Sequence, residues 1–403
     1  MAREIRSLTG LRGVAALVVV NYHFIQNLAV EPSRLHALAL RGYLAVDVFF
    51  VLSGFVLALT CGRMFVSGCA VTAYRAFLLR RVARIVPLYA VATAVVLAEI
   101  AAANFDLPGW ENPAGVILAN LLLIQAWSLA PSIVAASWSV STEVAAYMAF
   151  PLLLRLTVFA RRGRAVDSLL MASLLLILAA IGGHILGPAT NGALDLSDGT
   201  TPWPLLRCLG GFMLGLLTFR LAQIERIMTL AANDWCVVAV IAAFGLALWS
   251  GLPDLAVYPC LPLIVLIAAT DRRLPARLLA NRPIHWLGEC SYAIYLLHGE
   301  VIRHAMRLLR LHLAIDASAM GRVIGGLCIM LVLLSLAAAS HRWIEVPARQ
   351  FLRNQQRDSP PRHKRGAQIT PFARSVASAS ASSPSRSAST ASVCSPSNGG
   401  GIR

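Results

Sequence analysis

Long apolar runs, separated by short polar stretches, dominate the chain from Leu11 to Ser340. About 20 apolar residues are enough to cross a bilayer as an α-helix. The pattern therefore predicts an all-α protein, a polytopic bundle of transmembrane helices embedded in the lipid bilayer. The apolar segments cover residues 11–30, 44–60, 85–103, 114–130, 138–160, 168–186, 204–221, 235–250, 255–270, 291–309 and 323–340.

The placement of arginine between these segments predicts the topology, because Lys and Arg concentrate in cytoplasmic loops. Arginines are clustered in loops 61–84, 161–164 and 271–282, whereas loops 104–112 and 187–203 carry acidic residues and no Lys or Arg. Loops 104–112 and 161–164 must then lie on opposite sides, so one of the two segments between them does not cross. Segment 114–130 is short and carries Asn120 and Gln125, and we expect it to be partial or re-entrant. About ten spans follow, with both termini cytoplasmic and the protein in the inner (plasma) membrane.

Composition agrees with a membrane protein and excludes several other classes. Hydrophobic residues make up 58% and charged residues 13%, and the mean hydropathy of +0.69 is too high for a soluble domain. The net charge of +16 gives no basic patch interleaved with aromatics, so nucleic acid is not expected as a partner. The eight scattered cysteines include no CxxC pair, and neither disulfides nor a metal site is predicted.

Composition also divides the chain into two parts. Residues 1–352 form the predicted membrane domain, whereas residues 353–403 are rich in Ser, Ala and Arg and poor in large apolar residues. A segment of that kind cannot bury enough apolar surface to fold. We therefore expect a disordered cytoplasmic tail without a catalytic role.

Ionisable residues inside apolar segments are costly in a membrane and are candidates for function. Arg12 and His23 are eleven residues apart, which on a helix is about 16 Å of rise and about 20° beyond three full turns. One face of the first span would then present a guanidinium near the cytoplasmic interface and an imidazole near the middle of the membrane. The alternative is an arginine that snorkels to the headgroups and a histidine bonded inside the bundle.

Several ordered motifs resemble those of the acyltransferase 3 family of integral-membrane O-acyltransferases. The similarity runs from about Ser7 to Phe351, with Thr9 and Ala45 standing where the family usually has Asp and Gly. The motifs are Leu8-Thr9-Gly10-Leu11-Arg12-Gly13 through His23, Gly42 to Phe55 with Asp47 and Ser53, Arg80-Arg81-Val82-Ala83-Arg84-Ile85-Val86-Pro87, Trp138-Ser139-Val140-Ser141-Thr142-Glu143, Ser291 to His298 with Tyr295, and Glu345-Val346-Pro347.

The resemblance implies an enzyme that takes an acyl group, by default acetyl, from acyl-CoA. Acyl-CoA would be a donor substrate that enters from the cytoplasm, and no bound cofactor is expected. Arg12, Arg81 and Arg84 would bind its phosphates, and His23 would act as general base or as nucleophile. Glu143 would orient that imidazole or tune its charge; the alternative is a paired carboxylate near a helix end.

The remaining motif residues are expected to bind substrate or to be structural. Asp47 and Ser53 are expected mainly to hold the second span, since Ser-Gly-Phe allows helices to approach closely. Trp138 and Tyr295 belong to the same group. His298 shares a helix face with Tyr295, and binding of the acceptor and structural hydrogen bonding are equally open for it.

The expected acceptor is a hydroxyl of a cell-envelope or secreted carbohydrate, or of a lipid-linked glycan. The main alternative is a transporter or flippase of a saccharide, in which Asp47, Glu143 and the histidines would relay protons. A third possibility is an inactive membrane scaffold, which would leave Arg12 and His23 unexplained.

Overall fold

The computed structural model describes residues 4–28, 33–66, 68–102, 112–186, 191–271, 273–313 and 318–357. Within these ranges the chain is helical and contains no strand. The first helices are α1 (Arg6–Gln26), α2 (Arg34–Ala39), α3 (Ala45–Cys61), α4 (Val71–Ala102), α5 (Pro113–Leu121), α6 (Ser137–Leu156), α7 (Arg162–Leu186) and α8 (Trp203–Leu221). They are followed by α9 (Glu225–Ala231), α10 (Asp234–Trp249), α11 (Asp254–Val257), α12 (Cys260–Ala269), α13 (Arg273–Leu279), α14 (Arg282–Glu289), α15 (Ser291–Leu313), α16 (Ala319–Ser340) and α17 (Val346–Arg357).

The all-α membrane architecture predicted from the apolar runs is confirmed. Six helical stretches of the described chain are long and apolar enough to cross a membrane, and the bent pair α9 and α10 would make a seventh. Helices α6 and α15, of 20 and 23 residues, are not among them. Both carry charged side chains that lower their hydropathy, including Glu143 on α6 and Glu300 on α15. The count of ten spans stays a prediction.

Segment 114–130 contains a helix of only nine residues, α5, followed by irregular chain. At 1.5 Å per residue this helix rises about 13 Å, less than half of the apolar thickness of a bilayer. Asn120 is buried and fixes the chain that follows, because its amide donates to the carbonyl of Pro131 and its oxygen accepts from the amide of Ile133. The segment therefore does not cross as a continuous helix.

The predicted loop 61–84 is largely helical, which corrects the sequence-based boundary. Helix α4 begins at Val71 and runs through the arginines to Ala102. Arginine lowers hydropathy but has high helix propensity. The apolar run therefore begins only at residue 85, whereas the helix begins at Val71. This early start places Arg81 and Arg84 on a rigid element.

Helix α8 lies in the interior and packs on α3 and α7. Glycines permit the closest contact: a Cβ atom at Gly54 would lie 2.1 Å from the carbonyl oxygen of Phe212, and one at Gly215 would lie 2.1 Å from that of Val51. Small residues of this kind let membrane helices approach closely. The expectation that the Ser53-Gly54-Phe55 motif holds the second span against a neighbour therefore has a direct structural basis.

Helix α1 packs against α3, α14 and α15 and is thus surrounded by protein. The outer faces of α7 and α16 expose large apolar side chains, among them Leu170, Ile185, Leu327 and Leu331. Contact with water is unfavourable for such apolar surfaces, whereas the acyl chains of lipids can cover them. Some predictions of topology and disorder concern residues outside the described ranges. These are residues 104–111, part of loop 187–203, and the tail from residue 358.

Candidate active site

A narrow cavity, here called the arginine cavity, lies beside the first half of α1. It is lined by Arg12 of α1, Arg81 and Arg84 of α4, and Glu143 of α6, and its volume is about 90 Å³. The structure thus brings together the three arginines that the sequence analysis assigned to the donor. With three guanidinium groups and one carboxylate, the lining favours an anion.

Hydrogen bonds orient some of these groups and leave others available. The Arg12 guanidinium donates to the Ser291 hydroxyl over 2.9 Å. Glu143 accepts from the Ser53 hydroxyl, which ties α6 to α3. The buried Nε of Arg81 has no hydrogen-bond partner among the described residues. Buried donors are normally satisfied, so this group is suited to an incoming acceptor such as a phosphate oxygen.

Arg349 of α17 is an additional cation that the sequence analysis did not assign. Its charge acts on Arg12, Arg81 and Arg84. Arg349 forms an ion pair with Glu345, which lies four residues, about one helical turn, earlier in the chain. The Glu345-Val346-Pro347 motif was the available signal, since it places α17 in the part of the chain that resembles the family.

A second and larger cavity, here called the histidine cavity, lies beside the last turns of α1. His23 of α1 and His298 of α15 both line it, with ring centroids 4.9 Å apart, and its volume is about 910 Å³. Tyr22 and Gln26 on α1 and Trp138 at the start of α6 also line it. This volume is in the range of cavities that hold small-molecule ligands.

His298 is almost fully buried, and its Nδ1 lies within hydrogen-bond distance of the Tyr295 carbonyl oxygen. Because a carbonyl oxygen can only accept, Nδ1 carries the proton and Nε2 of a neutral His298 carries a lone pair. The Tyr295 hydroxyl is hydrogen-bonded to that of Ser139 over 2.7 Å. The Tyr295 side chain is therefore held in place between α15 and α6.

The two cavities share part of their walls. Val46 and Tyr295 line both of them. Arg12 lines one cavity and His23 lines the other, although both belong to α1. The two cavities are therefore adjacent at Val46 and Tyr295.

Asp47 forms an ion pair inside the bundle, and the structural role expected for it stays a prediction. Its carboxylate accepts two hydrogen bonds from the Arg207 guanidinium, at 2.7 and 3.0 Å, and one from the Tyr258 hydroxyl at 3.1 Å. Asp47 and Arg207 are both buried. Trp138 packs against this pair, with the Arg207 guanidinium 5.6 Å from the centre of its ring. Arg207 was missed from sequence, although an arginine inside the apolar run 204–221, well before Arg220 at its end, was a signal.

The structure does not support the expected pairing of Glu143 with His23. Glu143 bonds Ser53 in the arginine cavity, whereas the His23 ring contacts Gln26, Tyr22 and His298 in the histidine cavity. The described partner of Glu143 is a hydroxyl rather than a cation, so the alternative of a paired carboxylate stays a prediction.

Three arginines of α15 line the histidine cavity: Arg303, Arg307 and Arg310. Their positions at i, i+4 and i+7 put them on one helix face. Glu99, Glu300 and His304 lie nearby with potential ligand atoms within 4.8 Å of one another. Arg303 contacts both carboxylates, so one guanidinium lies against the two acidic groups.

Comparison with known proteins adds independent information. A family model described as an acyltransferase domain, the acyltransferase 3 model, matches residues 5–341. Acyltransferase MdmB of Streptomyces mycarofaciens is 30% identical over 86% of this chain and 92% of its own length. A Bacillus subtilis strain 168 protein named as the peptidoglycan O-acetyltransferase YrhL is 25% identical over 74% of this chain and 49% of its own length. No solved structure matches the chain.

Proposed function

The chain belongs to the acyltransferase 3 family and is thus a membrane-bound acyltransferase, and on that premise we propose its donor, acceptor and catalytic residues. The donor is acyl-CoA, with acetyl as the default acyl group. The acceptor is a hydroxyl of a cell-envelope or secreted carbohydrate, or of a lipid-linked glycan.

The observation that carries this proposal is the pair of cavities that meet at Val46 and Tyr295. A transfer between a soluble cytoplasmic donor and an acceptor from the other side requires two entrances and one meeting point. The cationic cavity suits the donor because acyl-CoA carries several phosphates. The wider cavity suits the acceptor, which must bring its hydroxyl to an imidazole.

The donor would bind with its phosphates at the mouth of the arginine cavity. Guanidinium groups form paired, charge-assisted hydrogen bonds to phosphate oxygens. The cavity of about 90 Å³ has no room for a nucleotide, but a slender chain such as the pantetheine arm could extend through it as side chains adjust. The thioester would then lie near Tyr295, within reach of the histidine cavity.

His23 would act as the general base. Its neutral imidazole accepts the proton of the acceptor hydroxyl as the oxygen attacks the thioester carbonyl carbon. A new C–O bond forms, the C–S bond breaks, and the CoA thiolate leaves and regains a proton from the imidazolium. The His298 ring lies beside that of His23, and its Nε2 would accept a hydrogen bond from a second hydroxyl of the acceptor.

The orientation follows from the arginine distribution. The arginine cavity would open towards the cytoplasm, where acyl-CoA is made, and both termini would lie on that side. The histidine cavity would open towards the outer face of the inner (plasma) membrane. The relative named for peptidoglycan O-acetylation is consistent with an acceptor on that side.

The test separates binding from chemistry with substitutions at His23 and Arg12. His23→Ala should lower acyl transfer at least about 100-fold, the low end for loss of a general base, while acyl-CoA affinity changes little. Arg12→Ala should instead weaken acyl-CoA binding by about 1.5–3 kcal/mol, the value of a charge-assisted hydrogen bond. Arg12→Lys should recover only part of that affinity, because the planar fork is lost.

The measurements are acyl-CoA affinity by calorimetry and turnover of acyl-CoA by detergent-purified protein, for variants at matched expression. Normal turnover in His23→Ala would show that another group is the base. Absence of any acyl-CoA binding or hydrolysis by the wild type would overturn acyl-CoA as the donor.

A further inference from the structure

A chain of hydrogen bonds connects the His23 imidazole to a distant carboxylate. His23 Nδ1 lies 3.1 Å from Gln26 Oε1, and Gln26 Nε2 donates to the Tyr22 hydroxyl oxygen over 2.7 Å. The Tyr22 hydroxyl donates to both carboxylate oxygens of Asp195, at 2.8 and 2.9 Å. Asn191 donates to Asp195 over 2.8 Å and to the Tyr22 oxygen over 3.3 Å.

The carboxylate fixes the direction of every bond in this chain. An ionised Asp195 can only accept, so Tyr22 must donate to it and can only accept from Gln26. Gln26 must then present its NH₂ group to Tyr22 and its Oε1 to His23. Because Oε1 only accepts, Nδ1 of His23 must carry the proton, and Nε2 of the neutral ring is left with its lone pair.

We propose that Asp195, acting through Tyr22 and Gln26, is the acidic positioning group that holds His23 in the tautomer needed for catalysis. This inference rests on the proposed role of His23 as general base. Asp195 thereby takes the place that the sequence analysis gave to Glu143. The arrangement differs from a direct acid–imidazole pair, because two neutral side chains lie between the carboxylate and the ring.

The geometry of α1 explains why these particular residues can form the chain. Tyr22 and Gln26 are four residues apart and His23 and Gln26 are three apart, so their side chains lie side by side on the helix surface. Tyr22 is buried and Gln26 is exposed to the histidine cavity. The ring and the amide are thus fixed from the protein side, while Nε2 is left for the acceptor hydroxyl.

Each substitution that tests the proposal removes one member of the hydrogen-bond chain together with the bonds that this member makes. Gln26→Leu removes the acceptor for Nδ1, and Asp195→Ala removes the group that sets the direction of the chain. In both variants the fraction of His23 protonated at Nδ1 should fall, and kcat should drop at least about 10-fold, less than the about 100-fold expected for loss of the base itself. The KM for acyl-CoA should stay within about twofold, since the arginine cavity is unchanged.

Gln26→Glu is a conservative substitution that should preserve the His23 tautomer. A carboxylate still accepts from Nδ1, so the tautomer should persist and kcat should exceed that of Gln26→Leu. The tautomer is measured by ¹⁵N NMR of histidine-labelled protein in detergent, with the His23 signals identified by their loss in His23→Gln. Asp198→Ala is the matched control for the tautomer, because Asp198 lines the same cavity but its carboxylate accepts from Thr200 rather than Tyr22.

The outcomes distinguish the two proposals. Turnover in His23→Gln equal to the wild type would overturn the role of His23 and with it the proposed function. A second outcome would overturn only the positioning role. In it, His23→Gln is inactive, whereas Gln26→Leu and Asp195→Ala keep the kcat and the His23 tautomer of the wild type. Should Asp195→Ala fail to fold, Tyr22→Phe decides, because it removes the hydroxyl that joins Asp195 to Gln26 and keeps the buried ring.

Discussion

At the scale of single residues, a charged side chain buried inside the membrane is costly unless an oppositely charged partner bonds it. Asp47 and Arg207 are buried, and they bond each other through two hydrogen bonds. The Tyr43 carbonyl and the Tyr258 hydroxyl supply further contacts. The pair joins α3 to α8 next to Trp138 in the wall of the histidine cavity. These contacts tie α3 and α8 to that wall, and a structural role for Asp47 stays a prediction.

Removal of one member of this pair should destabilise the protein severely. Asp47→Leu leaves the Arg207 cation buried without its counter-ion, a change that typically costs about 3–5 kcal/mol. The double variant Asp47→Leu with Arg207→Met should recover most of the stability, because no charge is left behind. Thermal unfolding of detergent-purified protein measures both. The control is Glu99→Gln, which removes the exposed carboxylate paired with Arg303, an ion pair worth about 0–1 kcal/mol; equal losses in Asp47→Leu and the control would contradict this account.

At the scale of helices, close packing positions the functional side chains. Helix α3 carries Asp47 and Ser53 and is held against α8 by contacts that leave no room for a Cβ atom at Gly54 or Gly215. Ser53 in turn bonds Glu143 of α6 at the arginine cavity. A shift of α3 away from α8 would therefore disturb the walls of both cavities.

Gly54→Ala should lower both stability and turnover. The new methyl group would lie 2.1 Å from the Phe212 carbonyl oxygen, so the two helices must separate, and overpacking of this kind typically costs about 1–3 kcal/mol. Gly245→Ala on α10 is the matched control, because a Cβ there meets no described atom within 4 Å. That control should be neutral or stabilising by up to about 1 kcal/mol, the difference in helix propensity. Equal melting temperatures for the two variants would show that the contact is looser than described.

At the scale of the whole molecule, the bundle places a cationic cavity and a histidine cavity along one helix, α1. The arginine cavity lies beside the half of α1 that begins at Arg6, and the histidine cavity beside the half that ends at Gln26. The proposed reaction requires these halves to face opposite sides of the membrane. Arginine placement predicts the same orientation, with the histidine cavity outside.

Cysteine labelling tests this orientation. In a cysteine-free background, Thr200→Cys should react with an impermeant thiol reagent in intact cells, because Thr200 is exposed in the loop before α8 on the predicted outer side. Arg164→Cys, exposed at the start of α7, should react only after the cells are opened. Labelling of Arg164→Cys from outside would refute the ten-span scheme.

The sequence by itself determined the class of the protein, the positions of its main helices and its family. Apolar periodicity and arginine placement report directly on lipid contact, which depends on local composition. The ordered motifs identified Arg12, Arg81, Arg84 and His23, and the structure brings the three arginines to one cavity. Helix α4 was predicted too short, because hydropathy responds to arginine whereas helix formation does not.

Only the tertiary structure decided which side chains meet. The carboxylate linked to His23 is Asp195, 173 residues from Tyr22, and Glu143 instead bonds Ser53, 90 residues away. Such pairings follow from how helices pack, and a single sequence carries no local signal for them. Hydrogen-bond partners are chosen among all the groups that packing brings within about 3 Å, so their identity is a property of the folded bundle.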